Sequence, residues 1–120
     1  VHLIRASMEG AAYALRHNLL TAEQAGAHAE VLCAMGGAAN SRLWTQIKAD
    51  VTGKRMVVPS SDTATTLGAA LLAGVASGVY RDFDDAVKQT VQIKRVHEPD
   101  FNNKEQYDQG LRSIWSFTNA

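Results

Sequence analysis

"CAMGGAANSRLW" occupies residues 33–44, and its reading decides the fold. A short apolar run, EVLCAM at 30–35, ends in Gly36-Gly37 and two alanines, and an amphipathic segment starts near Asn40 or Ser41. The run is too short and too apolar for a surface helix and reads as a buried strand. Positions 36–39 then carry almost no side chain, which suits a ligand drawn close to the backbone. Glycine permits positive φ and lets main-chain N–H groups approach with no Cβ in the way. A helix start directly behind adds free N–H groups and partial positive charge. Ser41 can either cap that helix or reach a ligand hydroxyl. The same order also serves simply as a tight turn. It is not a Walker loop, since no Lys-Ser or Lys-Thr pair follows, nor the three-glycine dinucleotide fingerprint.

Working outward, Ile4, Met8, Ala11, Ala12, Leu15 and Leu19 follow one helical face, predicting a helix over 3–18. Leu43, Trp44, Ile47 and Val51 make the next apolar face, stopped at Gly53. A second short strand is read at 55–58, closed by Pro59. Ser60, Ser61 and Asp62 are capping residues before a helix over 63–77. Ala70 and Gly74 share a face of small residues there, so that helix is expected to be largely buried and closely crossed. Asp82 caps a short helix with Phe83, Ala86, Val87 and Val91. QIKRVHEPD at 92–100 reads as extended and polar, and a last helix covers 104–118. Two parallel strands joined through a helix make a βαβ unit, an α/β signature. Two strands alone do not make a stable sheet.

Bulk properties narrow the function. The 120 residues allow one small domain, and 12 basic residues balance 12 acidic ones. That balance argues against nucleic acid as a partner. No signal peptide is visible, and the nearly uncharged 63–80 stretch is too diluted with Thr, Ser and Gly for a membrane span. The lone Cys33 reads as a buried, reduced thiol, and the expected location is cytoplasmic. The four histidines lack metal-ligand spacing. Asp50 is expected in a structural hydrogen bond, Asp62 as a cap, and Asp82, Asp84 and Asp85 as a solvated helix start rather than a metal site. Met8, Met35, Met56, Trp44 and Trp115 are assigned to packing. A helical pattern already under way at residue 3, without an initiator methionine, suggests a piece of a longer chain.

The motifs taken jointly resemble the carboxy-terminal region of the FGGY carbohydrate kinases, over nearly the whole chain. They are Gly36-Gly37, a polar residue four positions later at Ser41, a Gln-x-x-Ala-Asp helix at 46–50, and Leu-Gly-Ala-Ala at 67–70. HLIRASMEG at 2–10 looks like the tail of a second family signature, and the closing tyrosine-bearing helix also fits. The resemblance implies an α/β fold that is part of an actin/ribonuclease-H-like ATPase domain. Residues 1–120 would form the carboxy-terminal portion of the second, nucleotide-side domain, lacking its first strands. It further implies that ATP contacts Gly36, Gly37 and Ser41, with Ala38 and Asn40 as neighbours. The catalytic aspartate, the phosphate loop, most magnesium ligands and most of the sugar site would lie outside this chain, which by itself supplies no catalytic residue. Many members carry a glutamate where Thr63 stands here, with Asp62 beside it. SSDTATTLG at 60–68 is closer to xylulokinase-like members, pointing to a ketopentose such as xylulose. A non-catalytic nucleotide-binding or interaction module of the same fold is the alternative. Alone, the segment is expected to be inactive, with an open edge on the 31–35 strand, and to aggregate or pair as a homodimer.

Overall fold

The strand–turn–helix–strand order closes into a parallel pair in the computed structural model, which describes residues 2–61 and 63–118. Five helices, α1 (His2–Gln24), α2 (Arg42–Thr52), α3 (Ala64–Ala76), α4 (Phe83–Thr90) and α5 (Lys104–Thr118), accompany three strands among the described residues. The strands are β1 (Val31–Cys33), β2 (Arg55–Pro59) and β3 (Ile93–His97), in the order β1-β2-β3. β1 runs parallel to β2, with Leu32 opposite Met56. β3 joins the far side of β2 antiparallel, with Val57 opposite Val96. The segment read as merely extended is thus a paired strand.

α2 is the hub. It packs against α1, α5 and the sheet, and its inward residues Ile47 and Val51 join Ala12 and Tyr107 in the core. Ser41 caps its start by accepting from the Trp44 N–H at 3.2 Å, and Gly53 ends it in the left-handed region at φ 68°. α1 outruns its expected end at residue 18. The apolar stripe fades there, but Thr-Ala-Glu-Gln continues the helix until Gly26, at φ 92°, lets the chain turn away.

Expectations about burial fail on α3 and around β1. α3 has no buried residue. Its Gly74 is met by the ring of Tyr80 rather than by a crossing helix, because Gly78 (φ 78°) folds the chain back. β1 is short and borders one neighbour only, leaving Val31 and Cys33 exposed. Cys33 is therefore an exposed free thiol rather than a buried one, and Met35 is 55 % exposed rather than packed. Met56 is buried, as read. The Cα radius of gyration is 17.2 Å, against about 14 Å for a compact domain of this length.

No described helix is long and apolar enough to cross a membrane.

Candidate functional site

The chain leaves β1 at its carboxyl end, the side where ligands bind in open α/β sheets, and enters a single 3₁₀ turn, Gly37–Asn40, ahead of α2. Gly36, Gly37, Ala38, Asn40 and Ser41 are thereby brought into one contiguous turn. The first four are exposed and Ser41 is half-buried, while Ala39 points inward.

The two glycines differ in what requires them. Gly36 sits at φ 82° and ψ 178°, a region that is essentially glycine-only. Gly37 has no positive φ, and a Cβ placed on it would meet no atom within 4 Å. Neither backbone nor packing among the described residues demands glycine at 37. The space above it is open to a ligand.

Other groups suit an anionic, hydroxyl-bearing ligand. The first turn of α2 holds no acidic residue, so its N–H groups and the helix dipole are not neutralised there. Ser41 Oγ accepts from Trp44 N, which leaves its own proton free to donate. Beside the turn, a groove of about 300 Å³ is lined by Leu15, Leu32, Cys33, Met35, Ala39 and Lys48. The Lys48 ammonium lies 4.2 Å from the Trp44 ring centroid, a cation–π contact. The indole N–H of Trp44 is buried without a partner among the described residues.

The turn is anchored from behind through the carbonyls of Ala39 and Ser41, the latter accepting from Thr45 Oγ1 at 2.9 Å. Ala39 O accepts from the Arg95 guanidinium, and from Thr45 Oγ1 at 3.4 Å. Arg95 Nε donates to His97 Nε2 at 3.1 Å, and His97 Nδ1 is 2.9 Å from Gln46 Oε1. Gln46 Nε2 donates to Asp50 Oδ1 at 2.7 Å and to Glu98 O at 2.8 Å. Asp50 is thus the structural acceptor the sequence suggested. Burial first, then Arg95 and Arg42, hold the His97 pKa below its ordinary value, with Asp50 opposing. Sequence reading missed Thr45, Arg95 and His97. The available signal was period-two alternation in IKRVH, where Arg95 and His97 are half-buried between exposed Lys94, Val96 and Glu98.

The acids of 82–85 form a helix start, with Asp82 accepting from the Asp85 N–H at 2.8 Å. Asp62 lies outside the described residues. Among the described residues no group of three His, Cys, Asp or Glu could hold a metal ion.

Residues 1–77 match the C-terminal domain of the FGGY family of carbohydrate kinases. The autoinducer-2 kinase of Yersinia enterocolitica is 40 % identical over 114 residues, which is 94 % of this chain and 21 % of the relative. A Yersinia pestis autoinducer-2 kinase is 39 % identical over the same share. The chain therefore spans about a fifth of the length of the curated relatives it matches. Among solved structures, xylulose kinase from Rhodospirillum rubrum superposes with a TM-score of 0.84 at 28 % identity, over 97 % of this chain and 24 % of that one. Gluconate kinase from Lactobacillus acidophilus reaches 0.87 at 22 % identity, over 98 % of this chain and 24 % of that one, a likeness of fold.

Proposed function

The chain belongs to the FGGY family of carbohydrate kinases, with the α/β architecture of the actin/ribonuclease-H-like fold, and we propose that it forms the nucleotide-side lobe of an ATP-dependent kinase. In this reading residues 1–120 are the carboxy-terminal portion of the second domain. ATP lies over the 36–41 turn: the Gly37 backbone approaches it, the α2 N-terminus faces its phosphates, and Ser41 donates to a hydroxyl.

The observation that carries the reading is the unfilled space above Gly37 at the carboxyl end of a parallel strand. Phosphoryl transfer is largely positioning and charge stabilisation, with an aspartate base and magnesium near the β- and γ-phosphates. The base, the phosphate loop and the magnesium ligands are assigned to the kinase beyond this chain. The site's cations, Arg42, Lys48 and Arg95, supply positive potential on the nucleotide side.

The acceptor is proposed to be a small polyhydroxylated carbohydrate. The 40 % identity to an autoinducer-2 kinase makes autoinducer-2 the first acceptor to test, beside a ketopentose such as xylulose. The location is proposed to be cytoplasmic, where ATP is at hand. Assaying the full-length protein with ATP against autoinducer-2, xylulose and gluconate tests both parts. Phosphorylation of autoinducer-2 above the others is the expected result. ATP binding without turnover of any carbohydrate would overturn the kinase reading in favour of a non-catalytic nucleotide-binding module.

A further inference from the structure

The turn proposed to carry ATP is held from behind by Arg95 and Thr45, and Arg95 is itself held by a directional hydrogen-bond chain. Arg95 stands on β3, two strands away from β1, and half-buried. Among the described residues no carboxylate pairs with it. Its partners are the carbonyl of Ala39 and the Nε2 of His97.

The bond to His97 needs a lone pair on Nε2, since a guanidinium can only donate. The ring proton then sits on Nδ1 and is donated to Gln46 Oε1. This orients the Gln46 amide so that its nitrogen faces Asp50 Oδ1 and Glu98 O. Asp50 Oδ1 also accepts the Asp100 N–H at 2.8 Å. Donors run one way, from guanidinium to carboxylate, and each link sets the next.

We propose that Arg95 is a positioning residue for the nucleotide turn, held through His97, Gln46 and Asp50, and that protonation of His97 releases it. The inference rests on the reading of 36–41 as the ATP contact. A proton on Nε2 would point an N–H at the Arg95 Nε–H and set two cations side by side. The charged groups acting on the ring are Arg95 on its own strand and Arg42 and Asp50 on α2. Glu98 is already paired with Arg55 of β2 at 2.6 Å. Burial, Arg95 and Arg42 outweigh Asp50 and keep the ring neutral near pH 7. Without the guanidinium the Ala39 carbonyl keeps only the 3.4 Å contact with Thr45 Oγ1, so the peptide samples other orientations, and apparent ATP affinity falls with the fraction of turns in the competent one.

The test uses the full-length kinase. Arg95→Met keeps the stem and removes the donors; the KM for ATP should rise about tenfold, as for a charge-assisted hydrogen bond lost, with the carbohydrate KM unchanged. Arg95→Lys should recover part of the loss, because an ammonium reaches the carbonyl but lacks the second arm toward His97. The parent's KM for ATP should climb as pH falls below about 6.5, the ordinary histidine value under which this ring titrates, and His97→Gln should flatten that climb. Normal ATP affinity in Arg95→Met, beside a Gly37→Val protein that has lost it, overturns the proposal and leaves the nucleotide turn standing. Normal affinity in Gly37→Val as well removes both. Equal losses toward ATP and carbohydrate in Arg95→Met, with a lowered Tm, make Arg95 part of the scaffold and also overturn it. Parallel pH profiles in parent and His97→Gln exclude the protonation step.

Discussion

The phenol of Tyr13 on α1 lies against the α-carbon of Gly110 on α5, so a Cβ at 110 would fall 2.9 Å from Tyr13 Cζ and nearer still to its hydroxyl. Tyr13 in turn meets Tyr107 edge-on, with ring centroids 6.2 Å apart. Glycine at 110 is what allows these two helices to close over the core.

Gly110→Ala tests that closeness. In a helix interior the change alone gains about 0.5–1 kcal/mol, whereas overpacking costs about 1–3 kcal/mol. Overpacking should win, with a net loss of about 1 kcal/mol in thermal unfolding of the full-length protein. Tyr13→Phe in the same background should recover part of it, since the hydroxyl is the nearest atom. A stabilised Gly110→Ala would mean that α1 and α5 separate at little cost.

Gly74 makes the parallel case with a different neighbour. A Cβ there would lie 2.7 Å from two atoms of the Tyr80 ring, while the Val79 and Tyr80 N–H groups both reach the Gly74 carbonyl. Gly74→Ala should lower the Tm, and Gly74→Leu should lower it further. Combined with Tyr80→Ala, the alanine should instead gain about 0.5–1 kcal/mol from helix propensity. Persistent destabilisation in the double variant would point to a partner other than Tyr80.

The two adjacent glycines should separate by assay. Gly37→Ala meets open space at an ordinary φ, so its Tm should match the parent while calorimetry shows weaker ATP binding. Gly36→Ala forces a side chain into φ 82°, ψ 178°, which costs about 1–3 kcal/mol. Both its Tm and its ATP affinity should fall. Unchanged ATP affinity in Gly37→Ala, or an equally lowered Tm in both, would contradict the assignment of the open space to a ligand.

Asp108 ties α5 to α1. It accepts from Lys104 and Arg16, each at 2.5 Å, and Lys104 first, then Arg16, holds its carboxyl below the usual range. A depressed carboxylate contributes stability above its unfolded pKa, and that contribution disappears as pH falls from about 4 through the folded value. Asp108→Asn should cost about 0.5–1 kcal/mol at pH 7, the range for a partly exposed network. The melting curves of parent and variant should converge once the pH falls below the depressed folded value. A gap that persists in acid would assign the loss to packing rather than charge.

The local chemistry was legible in sequence. Gly53 and Gly78 end helices because only a residue without Cβ enters the left-handed region cheaply, and Asp82 and Ser41 start them by offering oxygen to free N–H groups. The parallel βαβ pair followed from two short apolar runs with one helical period between them. The Gly-Gly turn was visible for the same reason, since the absence of side chains is itself a sequence feature.

Burial and partnership were decided by the tertiary fold. Cys33 and the apolar face of 63–77 looked internal, yet exposure depends on what packs alongside, which hydropathy along one chain does not contain. β3 escaped notice because its half-buried positions are Arg95 and His97, so its alternation carried no apolar signal. Those residues lie 56 and 51 positions from Ala39 and Gln46, and no local propensity spans that distance. Only the pairing of β3 with β2 brings a guanidinium beneath the glycine turn, where a hydrogen bond of a few ångströms joins segments half a chain apart.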